Sequence, residues 1–219
     1  MADLIITIDG PAASGKSTTA RLLACRLDAS FLDTGAMYRA VTLAAMRAGV
    51  DLNDEQKLLD VMQKHEFQFS DRSGKMAVRI DGSDVTEDIR SPEVTANARY
   101  IAAAPRVREK LVQMQRQFAA GRRKIVTEGR DQGTVAFADA DIKFYLTADL
   151  AERAKRRQAE LGISESQSAI DVQKAIEQRD KSDQDRAAGP LKPAEDAIII
   201  DTTNMSIEQV VEKLIEFIT

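Results

Sequence analysis

What this chain has little of narrows the reading first. It carries one cysteine, Cys25, among 219 residues, which excludes an intramolecular disulfide framework and suits a reducing compartment. Its one histidine, His65, has nothing around it that suggests metal ligation and reads as a solvated or helix-end residue. No apolar run approaches the roughly 18 residues of a membrane span. The opening "MADLIITIDG" shows no basic leader followed by an apolar core and a cleavage site. The expectation is a soluble, cytoplasmic protein. Positive charge is in the minority, with 31 Lys and Arg against 35 Asp and Glu and a net charge of −4. Such a surface does not attract nucleic acid or anionic membrane, so an anionic ligand must be held by a local basic cluster. The sequence has no internal repeat and no low-complexity tract.

What is present alternates. Leu4–Asp9 (LIITID) is apolar on nearly every residue and bounded by Gly10, the pattern of a strand buried on both faces of a parallel sheet. Ser17–Leu27 has helical spacing, and a second strand is predicted to end at Leu32. Helix formers run from Tyr38 to Arg47. Between Phe67 and Ile89 the period changes to two, with Ser-Gly and Asp-Gly as punctuation, which predicts a small antiparallel hairpin or meander. A long helix is expected at Pro105–Ala120. Further strands are expected at Lys124–Gly129, Asp141–Leu146 and Ala197–Ile200. Helices are expected at Asp149–Glu160, Ala169–Arg179 and Ile207–Ile218, the last started by a capping box of Ser206 and Gln209. Strands alternating with helices argue for a three-layer α/β domain around a parallel sheet.

The junction after the first strand is the most specific local signal. Gly10-Pro11-Ala12-Ala13-Ser14-Gly15-Lys16-Ser17 fits G-x-x-x-x-G-K-S/T, between a predicted strand and a predicted helix. In such a loop successive backbone N–H groups point inward, and small residues let phosphate oxygens reach them. The helix start adds partial positive charge, Lys16 neutralises terminal phosphates, and Ser17 can coordinate magnesium. A bound nucleoside triphosphate is expected, held by Gly10 to Ser17 and Thr18. The cradle does not say where the phosphate goes. A GTPase would carry an Asn-Lys-x-Asp stretch, which is absent, and a transporter or helicase ATPase would need more chain. A small kinase remains, with a nucleotide-gated binding module as the alternative.

Phosphoryl transfer between two anions calls for concentrated arginine. Arg39, Arg108, Arg130, Arg153, Arg157, Arg179 and Arg186 stand at loop and helix positions suited to that. Three motifs group most of them. "LDTGAMYR" (residues 32–39) follows the second strand, where ligands settle in open α/β sheets. "EGRDQGTVAFADA" (128–140) leaves a later strand, and "RDKSDQDR" (179–186) interleaves both signs of charge.

With these motifs in place the chain resembles the bacterial-type cytidylate kinases of the nucleoside monophosphate kinase group. The resemblance runs its full length through "ITIDGPAASGKST", "LDTGAMYR", "PRVRE", "GRDQGTV", "RDKSDQDRAAGPL" and "SIEQV". It implies a P-loop kinase fold with a parallel core sheet, a small antiparallel insert in the monophosphate-binding region and a helical lid. It also implies transfer of the γ-phosphate of ATP, as its magnesium complex, to CMP or dCMP. A UMP/CMP kinase of broader specificity is the nearest alternative. On this resemblance Lys16 and the loop amides hold ATP, and Ser17 serves the metal. Thr34, Arg39 and Arg130 face the acceptor phosphate. Arg108, Asp131 and Arg186 read the cytosine, while Arg179 and Asp183 contact the sugar. Arg153 and Arg157 close on the ATP phosphates, so that Lys16, Arg130, Arg153 and Arg157 form the catalytic set. A monomer is expected, with small-molecule substrates only.

The implied division of the single domain is a core of 1–33, 124–148 and 187–219, a monophosphate-binding region of 34–123 with its insert at about 66–90, and lid and acceptor-contacting helices at 149–186. Two departures stand out. Arg99 occupies the place of a serine that assists the base in the family, and "FADA" replaces "FPDA", putting Ala138 where a proline is usual.

Overall fold

The first apolar run forms β1 (Leu4–Asp9) and passes through the glycine-rich loop into α1 (Lys16–Leu27). The structure, a computed structural model, describes residues 2–71, 74–162 and 169–218. Ser73 of the Ser-Gly punctuation and residues 163–168 of the expected lid region lie outside them.

After α1 come β2 (Ser30–Asp33), α2 (Thr34–Arg47), α3 (Glu55–Lys64), β3 (Phe67–Asp71), β4 (Met76–Ile80) and β5 (Ser83–Asp84). A 3₁₀ turn at Asp88–Arg90 leads to α4 (Pro92–Ala103) and α5 (Pro105–Ala120). The chain continues as β6 (Lys124–Gly129), a single π-turn at Gln132–Ala136, β7 (Ile142–Thr147), α6 (Leu150–Leu161), α7 (Ala169–Asp185), β8 (Ile198–Asp201) and α8 (Ile207–Ile215).

Five strands form one parallel sheet in the order β2-β6-β1-β7-β8. Period-two alternation sends Ile6 and Ile8 to one face, where they pack with Ala20, Leu23 and Ala24 of α1 and Val210, Val211 and Leu214 of α8. Ile5, Leu32 and Ile125 face the other way, onto α2 and Val107 and Leu111 of α5. Three layers result, as the alternating pattern predicts.

The register brings the carboxyl ends of the strands to one rim. Asp33 lies beside Glu128, and Asp9 beside both Gly129 and Tyr145. Asp9, Asp33 and Glu128 are buried at that rim, which a sheet tolerates only where a ligand or a fixed partner meets them.

The antiparallel insert is the three-stranded sheet β3-β4-β5. Asp81 and Gly82, both at positive φ, make the tight turn between β4 and β5. Met76, Val78 and Ile80 of β4 pack into the same core as α2. At the tip of the insert, Asp71 accepts the Phe31 N–H at 3.0 Å, tying it to the start of β2.

Two helices escaped the sequence reading. Asp54 caps α3, which buries Leu58, Leu59 and Val61. Ser91 caps α4, which stops at Ala103 because Pro105 disfavours helical backbone in the residue before it. Elsewhere the differences are at ends. Asp33 caps α2 through Ala36 N–H, so that helix starts at Thr34 rather than Tyr38. Helix α7 continues to Asp185 rather than Arg179, and α8 stops at Ile215. The capping box of Ser206 and Gln209 is formed.

Candidate active site

The loop from Gly10 to Ser17 wraps against the end of β7. A Cβ at Gly10 would collide with the Leu146 carbonyl, so only glycine lets the backbone pass there. Ala13 is left-handed at φ 58° and Gly15 at φ 88°, the alternation that turns successive amides toward one centre. Lys16 is buried, and its Nζ donates to Pro11 O at 2.8 Å. Burial and the positive charges of Arg130 and Arg179 push its pKa down, with Glu128 and Asp9 pulling the other way. Ser17 and Thr18 are exposed at the helix start. Ser17 Oγ donates to Glu128 Oε1 at 2.9 Å. Burial raises the Glu128 pKa, and the Asp33 charge adds to it. The Ser17 hydroxyl and the Glu128 carboxylate are hard oxygen donors of the kind a small divalent cation takes.

Opposite the loop lies an excess of guanidinium. The Arg179 side chain has no hydrogen bond or ion pair among the described residues. Lost hydration in the crowded cleft, reinforced by Arg130, lowers its pKa to about 10. Arg157 and Arg39 repel it as well. Arg130 donates to Asp183 Oδ2 at 2.8 Å and to Gly129 O at 3.1 Å. Its burial is opposed and outweighed by Asp183 and Glu128, which raise its pKa. Arg39 reaches Asp33 at 3.2 Å, yet its buried Nε has no hydrogen-bond partner among the described residues. Repelling cations held this close form a site whose electrostatic strain an anion relieves.

A third group sits beside these arginines. Arg108 and Asp131 form a buried ion pair, and Arg186 Nη2 stands 3.9 Å from the other Asp131 oxygen with no hydrogen bond among the described residues. Arg186 also reaches Asp183 at 3.3 Å. The Arg108 guanidinium lies 5.5 Å from the centre of the Tyr38 ring, a cation–π distance. Gly189, at φ 59°, lies against the Asp131 carboxylate so tightly that a Cβ would overlap it.

The structure thus brings Lys16, Arg39, Arg130, Asp131, Arg179, Asp183 and Arg186 to the rim beside the loop. Thr34 joins them, but its hydroxyl donates to Glu128 O at 2.7 Å and ties α2 to β6. Arg157 stays accessible, paired with Glu160 at 2.9 Å. The Arg153 guanidinium is buried and committed to Asp180, Ala12 O and Ala148 O. Arg99 stacks on Tyr100 with its centre 4.9 Å from the ring. The turn at Ala138, which lacks the proline, is tied by Lys143, whose Nζ donates to Ala138 O at 2.6 Å and pairs with Asp196.

Sequence reasoning missed several groups because their partners are distant in the chain. Arg90, on the 3₁₀ turn, approaches Asp33 at 3.6 Å. Arg156 donates to Thr202 Oγ1 and O beside Gly15. Asp9 accepts the Gln132 and Gly133 N–H groups at 2.9 and 2.8 Å, holding the π-turn that follows Arg130 and Asp131.

Asp9 yields a pH prediction. Burial raises its pKa to about 6, against the two N–H donors, which lower it. A carboxyl with a folded pKa above its unfolded value takes up a proton on folding. Its contribution to stability is therefore full below about pH 4 and is lost as the pH rises through about 6. Asp9→Asn is expected to flatten that part of the stability curve in urea unfolding. A wild-type-minus-variant difference that is constant across the interval contradicts this.

Comparison with known proteins adds the last observations. The family model described as Cytidylate kinase matches residues 6–219. A cytidylate kinase from Lactobacillus gasseri is 44% identical over 216 residues, covering 97% of this chain and 93% of that protein. One from Pelotomaculum thermopropionicum is 47% identical over 215 residues, covering 96% and 93%. Among solved structures, an uncharacterized protein from Eubacterium ventriosum superposes with a TM-score of 0.54 at 13% identity, over 99% of this chain and 98% of that one.

Proposed function

Since the chain belongs to the cytidylate kinase family, we propose that it transfers the γ-phosphate of ATP to CMP or dCMP, giving ADP and CDP or dCDP. The observation that carries this reading is the placement of two anion-seeking sites on one rim. The phosphate loop with Lys16 lies on one side, and the surplus guanidinium of Arg39, Arg130 and Arg179 lies on the other.

The division of labour follows from the contacts. Loop amides from Ala13 to Ser17, with Thr18, hold the triphosphate, and Lys16 meets its terminal phosphates. Arg39, Arg130 and Arg179 neutralise the acceptor phosphate and the charge that develops in the transition state, and Arg157 approaches from the accessible side. Such stabilisation, with in-line positioning, supplies most of the rate in phosphoryl transfer. Arg108, Asp131 and Arg186 read the base. Cytosine's exocyclic amine donates to the carboxylate, and its O2 and N3 accept from guanidinium. Asp183, released from Arg130, reaches the sugar. Ser17 and Glu128 would hold a magnesium ion, which would supply neutralisation of phosphate charge. The protein acts in the cytoplasm as a monomer on small molecules. No helix among the described residues is long and apolar enough to cross a membrane.

ADP release in a coupled assay across CMP, dCMP, UMP, AMP and GMP tests the assignment. CMP and dCMP are expected to lead, with UMP behind by about 5- to 150-fold, the equivalent of one buried mispaired polar group at about 1–3 kcal/mol. Preference for AMP, or no turnover with any monophosphate, overturns it.

A further inference from the structure

We propose that Asp180 is a positioning residue that seats the phosphate loop from behind and, with Arg153, joins it to the helix bearing Arg179 and Asp183. The inference rests on the functional reading above. Asp180 is 8% exposed, and its Oδ1 accepts the Ala12 N–H at 2.9 Å. Its Oδ2 pairs with Arg153 Nη1, which also donates to Ala12 O at 3.0 Å, while Arg153 Nε donates to Ala148 O at 3.1 Å. Both polar groups of one loop residue are thus gripped by one ion pair spanning α6 and α7.

Packing repeats the hydrogen-bond pattern. Ala12, Ala154 of α6 and Ile176 of α7 form a small buried cluster of their own, bordered by Ala13, Leu150 and Val172. The loop at Ala12 therefore rests on both helices. Burying two opposite charges is tolerable only when each keeps its partner and its remaining hydrogen bonds. Here both conditions hold, and the hydrogen bonds fall on Ala12 and Ala148, the loop and the end of the adjacent strand.

The same helix face serves the other substrate. Ile176, Arg179, Asp180 and Asp183 fall within an arc of about 100° on α7. Asp183 holds Arg130 at 2.8 Å, and Arg179 stands in the arginine cluster. A nucleoside monophosphate that draws Arg179 and engages Asp183 pulls on α7 at those two residues, and Asp180 transmits that pull to Ala12. Coupling of this kind must be reciprocal, with ATP changing CMP affinity by the factor by which CMP changes ATP affinity.

The test is calorimetric binding of a non-hydrolysable ATP analogue to the full-length protein, with and without saturating CMP. It is run on wild type, Asp180→Asn and Arg153→Lys, with steady-state kinetics and thermal melts beside it. Wild type is expected to show about a fivefold or larger effect of CMP on analogue affinity. Asp180→Asn keeps an oxygen for the Ala12 N–H but loses the ion pair. It is expected to bring the ratio close to one and to raise the ATP KM more than the CMP KM. Arg153→Lys keeps the charge but not the fork, and should fall between. A wild-type ratio of one overturns the proposal. So do variants that keep the wild-type ratio, or a lowered melting point with the ATP KM unmoved. A wild type without CMP-dependent ADP release overturns the functional reading instead.

Discussion

Lys16→Ala is expected to lower CMP-dependent ADP release by about 10³-fold or more while the thermal midpoint stays within about 3 °C of wild type. The rate term follows from removing a fixed positive charge where the transferring phosphoryl group concentrates negative charge. The stability term follows from the state of Lys16 before nucleotide arrives. It is 4% exposed and donates one hydrogen bond, to Pro11 O. Burial and its cationic neighbours depress its pKa, so its charge is held at a cost. Deleting it strands the Pro11 carbonyl but relieves that electrostatic penalty, and the two roughly cancel. The midpoint tolerance corresponds to about 1 kcal/mol in a chain of this size. Lys16→Met, which keeps the aliphatic volume, should match the alanine variant in rate. Activity kept within tenfold would remove Lys16 from the transfer step. Lost activity together with a collapsed melting transition would make it a residue of the fold.

The phosphate loop was legible in the sequence because its chemistry is contiguous. Strand, glycines, lysine and hydroxyl lie within fourteen residues of one another, and local backbone preferences settle the rest. The parallel sheet was legible for the same reason, since β1 and β6 have the bounds expected from their sequences. Pairings across the chain were not. Arg153 stands 27 residues from Asp180 and 141 from Ala12, and nothing in "ERAKRR" distinguishes an arginine spent inside from one reaching for phosphate. Arg156, its near neighbour, is spent on Thr202, while Arg157 remains accessible. The carboxylates Asp9 and Asp180 were invisible as site residues because their partners, Gln132 and Gly133 for one and Ala12 and Arg153 for the other, are distant in the chain. Helix α3 was missed for a different reason. Its buried stripe is short and its remaining surface is charged, so composition resembled a solvated connection until packing against α5 supplied the missing face.

Asp131→Asn is expected to cut kcat/KM for CMP by about 10²-fold and to reduce the CMP:UMP preference by about 10-fold or more. The side chain lies between Arg108, its direct partner, and Arg186, 3.9 Å from its second oxygen. In the proposed complex one carboxylate oxygen accepts from cytosine's amine. Uracil presents a carbonyl at that position, and two acceptors facing each other in a buried pocket cost about 1–3 kcal/mol. An asparagine reverses part of this, because its amide nitrogen donates to the uracil carbonyl and opposes the cytosine amine. The charge change has a separate consequence. Arg108 is 4% exposed, and a buried cation that loses its counter-ion destabilises a fold by about 3–5 kcal/mol. The variant should therefore melt well below wild type, unlike Lys16→Ala, and its kinetics should be taken at a temperature where melting shows it folded. Turnover of CMP and UMP measured side by side separates the two effects, since lost folded protein scales both rates equally and a change in base reading alters their ratio. An unchanged ratio in folded enzyme would move Asp131 from the base to the scaffold that holds Arg108.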